Sequence, residues 1–221
     1  MMSASIFKLA APDAPRRSAD LGDVRFRSLL ERGEWERLPP EVQSRFSKHL
    51  AGTGTALYRG VVVDMQMSRL GWFLAQVCRL FGAPLPLARE AGGAAVVTVS
   101  EDHRCAGQCW TRIYARRHGF PQVIHSAKRF AGPTGLEEYL GRGLGMALRL
   151  EPLSDGLAFV SDHYFLQIGR WRIRLPRAIT PGTARITHRQ MAGRTFLFEL
   201  IVEHLRAGKL LHQQILFDDV D

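Results

Sequence analysis

Three residues on one short stretch could hold a ligand: Trp110, Arg112 and Tyr114. Gln108 to Arg116 alternates, so in an extended chain these three share a face with Gln108 and Arg116. An arginine between two aromatics can anchor an anionic head group with an apolar body if that face is concave. On an outward face Arg112 is merely solvated and Trp110 covers a neighbour. His163 lies in the run Gly156 to Ile168, where alternation sets it beside Phe159, Ser161 and Phe165. In an apolar cavity its pKa would fall, which suits a general base. An enzyme using His163 and Arg112 in one cavity is therefore the rival reading, and it requires the two side chains to converge on a common point. Otherwise His163 satisfies a core hydrogen bond or faces water. Arg170, Trp171, Arg172 and Arg174 form a basic-aromatic hairpin or rim that could touch a membrane surface or RNA. The alternative is an edge strand whose arginines block edge-to-edge pairing.

Other groupings carry less. Cys105 and Cys109 with His103 suggest a metal cluster, but residues four apart on a strand stand about 13 Å from each other, too far for one ion. Gly141-Arg-Gly-Leu-Gly145 has no Lys-Ser/Thr pair and precedes a strand pattern, so it reads as a bend or bulge. Glu137 and Glu138 are adjacent, so their carboxylates diverge and make no acid/base pair. No nucleophile elbow or zinc-protease motif is present. No catalytic residue, metal or cofactor is expected.

The elements that must position these residues follow from patterning. Residues 1–22 are rich in Ala, Pro, Ser and Asp and read as a disordered tail, not a signal peptide. The rest, 23–221, reads as one domain. Residues 23–51 form a helical lead-in, with Pro40 or Glu41 starting a helix that carries Val42, Phe46 and Leu50 on one face. Residues 55–221 form a sheet interrupted by one helix at 69–81, with Ser68 as its N-cap. That helix is apolar almost all round and includes Trp72, so it is either buried on two sides or covers the mouth of a barrel. Strands follow in close succession, and residues 136–140 are ambiguous. Connections this short join antiparallel neighbours. The expected fold class is α+β and β-dominated. It is a strongly curved antiparallel sheet or partial barrel of about 8–10 strands, with the N-terminal helices packed on it or plugging it.

Composition narrows partners. Net charge is +9 over 221 residues, with 30 Lys and Arg against 21 Asp and Glu. Residues 1–60 hold ten basic against seven acidic, and residues 61–221 hold twenty against fourteen. The excess is spread along the sequence, as on a solvated basic surface, so nucleic acid is not an expected partner. Three cysteines give no disulfide framework, which points to a reducing, cytoplasmic setting.

Four stretches together resemble a bacterial family of domains of unknown function, number 4166. They are Arg27-Ser-Leu-Leu with Leu38-Pro-Pro40 and Tyr58-Arg-Gly-Val-Val-Val-Asp; Leu80-Phe-Gly-Ala-Pro84; Trp110-Thr-Arg112 followed by Ser126; and Trp171 with Leu175-Pro176-Arg, Pro181 and Phe196-Leu-Phe198. The resemblance spans about Phe26 to Phe217. It departs where His212-Gln-Gln214 stands in place of the family's tyrosine-glycine. It implies a soluble β-rich domain, sometimes fused to an NADP-binding reductase-like or membrane domain, and no established activity. The expected ligand is a small apolar or anionic-amphipathic molecule held by Trp110, Arg112, Tyr114, His163 and Trp72. A basic module contacting a membrane surface or nucleic acid through the Arg170–Arg174 hairpin is the third reading, and of the two the membrane surface is the expected partner. Oligomeric state is not legible.

Overall fold

The computed structural model describes residues 23–48, 50, 54–82, 85–102 and 104–220. The expected tail at 1–22 and His103 lie outside the described residues.

Eleven strands run antiparallel: β1 (Thr55–Met67), β2 (Ala94–Asp102), β3 (Gly107–Tyr114), β4 (Gln122–Arg129), β5 (Leu136–Gly141), β6 (Leu144–Leu153), β7 (Gly156–Ile168), β8 (Trp171–Arg174), β9 (Thr183–Gln190), β10 (Thr195–His204) and β11 (Gly208–Asp219). Their order is β6-β5-β4-β3-β2-β1-β11-β10-β9-β7-β8. Pairing of β6 with β7 closes the sheet, so ten strands make a barrel, and β8 hangs from one end of β7 as a short flap. Closure removes the long edges that such a sheet would otherwise expose. The ambiguous 136–140 segment is β5. Its hairpin to β6 turns at Arg142 and Gly143, both with positive φ, as two-residue hairpins favour. The glycine-rich stretch is therefore a tight turn.

Antiparallel order places alternate connections at opposite ends of the barrel. At one end sit the helices α1 (Arg32–Glu36) and α2 (Pro40–Phe46). Phe26, Trp35, Leu38, Val42 and Phe46 are all buried there and join the barrel core. Arg25 pairs with Glu101, and Lys48 with Asp219, which pins this plug to the strand ends. At the other end α3 (Arg69–Cys78) and a 3-10 turn (Arg79–Phe81) lie across the mouth. Ser68 caps α3 by accepting the Gly71 amide at 3.0 Å. The helix is buried only along Gly71 and Ala75, while Leu70, Trp72, Phe73, Val77 and Leu80 are exposed. It covers the mouth and is not sandwiched.

Charge that is diffuse in sequence is gathered in space. The mouth-end connections are 68–93, 115–121, 142–143, 169–182 and 205–207; they carry eleven arginines and a single acid, Glu90. Their formal excess of ten exceeds the +9 of the whole chain, so the rest of the molecule is close to neutral.

Candidate functional site

Strand alternation turns Trp110, Arg112 and Tyr114 inward, as the concave reading requires, and Trp110 and Tyr114 are buried. A barrel of ten strands is wider than one of eight, whose interior side chains just fill or which holds one small ligand. The extra width leaves a cavity of about 320 Å³ toward the mouth. Its walls are almost wholly apolar, among them Leu74, Met146, Tyr164, Ile186, Phe198 and Val202. Burial raises the Tyr164 phenol, so it stays neutral. Arg112, Ser126 and Glu138 make the one charged patch in this lining.

That patch is a hydrogen-bonded cluster. Glu138, on β5 between inward Leu136 and Leu140, accepts from Ser126 Oγ at 2.7 Å, Lys128 Nζ at 2.9 Å and Arg112 Nη2 at 3.1 Å. Arg112 Nη1 also donates to Ser126 Oγ at 2.9 Å. Burial pushes the Glu138 carboxyl upward, but the charges of Lys128 and Arg112 and these hydrogen bonds outweigh it and hold its pKa near 2. Burial also lowers Lys128, more than Glu138 holds it up. The ammonium of Lys128 sits 4.8 Å from the Trp110 ring. Arg112 keeps 12% of its side chain accessible and lines the cavity, whereas Lys128 keeps 3% and does not line it.

Deeper in the barrel, Arg112, Tyr114 and Phe198 separate this cavity from a second void of about 20 Å³, room for roughly one water. Arg45 reaches this void from α2. It lies 3.8 Å over the Phe196 ring and donates to Gln190 at 2.8 Å, but its Nε and Nη1 have no partner. His188 lines the same void with Nδ1 unsatisfied, and burial followed by nearby Arg45 holds its pKa well below the usual value. Among the described residues, Arg112 and Lys128 thus share one buried carboxylate, Glu138, while Arg45 lies deeper, where the charges of Asp219 and Glu41 partly offset its burial.

The remaining candidates stand elsewhere. His163 points out of the barrel. Between Ser161 and His163 the register against β6 slips at a bulge, so residues before and after Asp162 change faces. Its Nδ1 meets Asp162 at 2.7 Å, and Asp162 is held also by Arg149 on the outer wall. His163 and Arg112 therefore do not converge, and the two-residue catalytic reading fails its own condition. Trp72 faces solvent; Leu74, Val77 and Cys78 are the α3 residues that line the cavity. On β8 the residues alternate: Trp171 and Ile173 pair with Ile168 and Leu166 on the cavity side, while Arg172 stacks outside on Phe165 and pairs with Glu137. Arg170 and Arg174 stand on the same flap. Glu137 and Glu138 do diverge, one to each face. Among the described residues, no three His, Cys, Asp or Glu side chains form a group that could hold a metal ion. Reading single residues missed Ser126, Lys128, Glu138, Arg45 and His188. For the β4 pair a signal exists: Gln122, Ile124, Ser126 and Lys128 alternate on the face that meets Trp110 and Arg112.

The lid depends on one glycine. A Cβ at Gly71 would overlap the Leu210 carbonyl oxygen, so only glycine lets α3 lie this close to β11. Gly71→Ala should lift α3 and cost about 1–3 kcal/mol in chemical denaturation. An unchanged midpoint would mean that the helix is not seated there.

No helix among the described residues is long and apolar enough to cross a membrane. No curated protein and no solved structure matches the chain. A family sequence model does match, over residues 38–217, from the α2 plug through the last barrel strand. That span covers every interior residue of the cluster just described, and on it the chain belongs to the family described as Domain of unknown function (DUF4166).

Proposed function

We propose that the barrel binds a small amphipathic molecule with an apolar body and an anionic head group. The apolar body occupies the 320 Å³ cavity, a volume at the small end of the range for small-molecule pockets. The head group lies against Arg112. The observation that carries this reading is the local charge imbalance: Glu138 can neutralise only one of its two cationic partners, and Arg112, the partner that lines the cavity, keeps 12% of its side chain accessible. A buried excess of positive charge is costly, and an anion arriving from the mouth relieves it. A cationic ligand would add to the excess, and a neutral one would leave it in place.

The test is displacement of the fluorescent probe 1-anilinonaphthalene-8-sulfonate by decanoate, decanol and decylammonium. Decanoate should displace it at least about tenfold better than decanol, because a charge-assisted hydrogen bond contributes about 1.5–3 kcal/mol. Arg112→Gln should erase that preference while decanol is unaffected. Equal displacement by all three compounds in the parent protein would refute the reading.

A further inference from the structure

We infer that the mouth end of the barrel docks on an anionic lipid surface. The surface, not the interior charge, carries this inference, so it stands or falls separately from the ligand reading. Two independent distributions coincide there. The first is the charge already described, eleven arginines against Glu90. Among the described residues only two of the eleven are in ion pairs, Arg117 with Glu90 and Arg172 with Glu137. The second is apolar. Every exposed phenylalanine or tryptophan among the described residues is at this end: Trp72, Phe73, Phe120 and Trp171. Phe120 is 90% exposed at the tip of the β3–β4 connection, and Leu205 is 96% exposed at the tip of the β10–β11 connection.

These side chains stand at the end of the barrel toward which the cavity lies. Val77 and Ile179 both line the cavity and are exposed. The β5–β6 turn is tied to the end of β7 by the Gln167 amide donating to Gly143 O at 2.8 Å, which brings Arg142 close to the β8 flap. Gly82, at the end of α3's 3-10 turn, abuts the Leu140 carbonyl. A ring of arginines with interleaved aromatic and aliphatic tips suits an interface of lipid head groups and upper acyl chains. The guanidinium groups pair with phosphates while the tips enter the apolar boundary. A nucleic acid would meet the arginines but would leave Leu205, Leu80 and Ile179 without a partner. The cavity then opens directly onto the bilayer, which gives an amphipath a path between membrane and barrel that avoids water.

Co-sedimentation of the full chain with vesicles of phosphatidylcholine, alone or with about a third phosphatidylglycerol, tests this. Binding should be strong to the anionic vesicles, weak to the neutral ones, and reduced as salt rises. At about 1 kcal/mol per surface arginine, Arg170→Gln with Arg174→Gln and Arg177→Gln should weaken it on the order of a hundredfold. Phe120→Ser with Trp171→Ser should weaken it at unchanged charge, and Val24→Ser at the opposite end should not. Brominated acyl chains should quench Trp171, so quenching drops in Trp171→Phe. No preference for anionic vesicles, no loss in Phe120→Ser/Trp171→Ser, or single-stranded RNA binding at a salt concentration where vesicles do not would each overturn the inference.

Discussion

Glu138→Ala should lower stability by about 3–5 kcal/mol, the range for removing one partner of a buried ion pair. The reason is what remains. Arg112 and Lys128 stay inside the barrel, Lys128 with 3% of its side chain accessible, and among the described residues the one carboxylate that pairs with them is gone. Arg112 is left charged without a counter-ion, and Lys128 with only burial and Arg112 acting on it, both against its charge. Ser126 also loses its acceptor. Glu138→Gln should cost less, because an amide oxygen can still accept. Replacing the cluster with apolar residues, as Arg112→Met/Lys128→Met/Glu138→Leu, should recover much of the loss, since desolvated ions gain little over packed hydrocarbon. Urea denaturation at neutral pH reads all three variants. A Glu138→Ala change below about 1 kcal/mol, the size of a surface pair, would show that water reaches the cluster.

The same carboxylate predicts an acid limb. Its pKa is held down near 2 from an ordinary 4.5. A depressed carboxylate pKa contributes stability that is complete above the unfolded value and is lost as pH falls through the folded one. Between about pH 4.5 and pH 2 the protein should lose about 3 kcal/mol through this group alone. Glu138→Gln should flatten that part of the pH profile.

What could be seen in the sequence was local. The alternation of β3 already put Trp110, Arg112 and Tyr114 on one face, and short connections already implied antiparallel strands in a curved or closed sheet. Two departures from the sequence pattern share one physical source, the distance between sequence and space. Strict period two places His163 on the Phe159 face, but the bulge at Asp162 inserts one residue and inverts every side chain beyond it. Nothing in Val160-Ser-Asp-His163 announces that slip. The basic excess looked even because alternate connections of an antiparallel barrel lie at the same end; arginines at 69, 116, 142, 170 and 206 are far apart in the chain and share one rim. Likewise Arg45 and His188 meet only because α2 enters the barrel beside β9. Glu138 stood in an ambiguous segment next to Glu137, where only pairing with β4 distinguishes the inward carboxylate from the outward one.

The second large effect is expected at the opposite end, at Phe46. Its ring lies 5.2 Å from Phe26, 5.5 Å from Phe159 and 5.3 Å from His188, and it is buried. It is the side chain through which the helical plug enters the barrel. Phe46→Ala should cost about 3–5 kcal/mol, the transfer of the ring plus the cavity it leaves. Phe46→Leu should cost clearly less because it fills part of that volume. The consequence reaches function, since Arg45 is the neighbouring residue on α2 and its guanidinium is held over Phe196 only while the plug is seated. The variant also tests how far the folding unit extends. The family match begins at residue 38, yet Phe26 and Trp35, at 1% and 4% exposure, belong to the same core as Trp110. If residues 23–46 and the barrel form one cooperative unit, near-ultraviolet circular dichroism, which reports Trp35 and Trp110, and far-ultraviolet strand signal should fall in one coincident transition, and Phe46→Ala should shift both together. A separate early loss of near-ultraviolet signal would make the plug an accessory that can leave the barrel, and the far end would then be a second entrance to the charged interior.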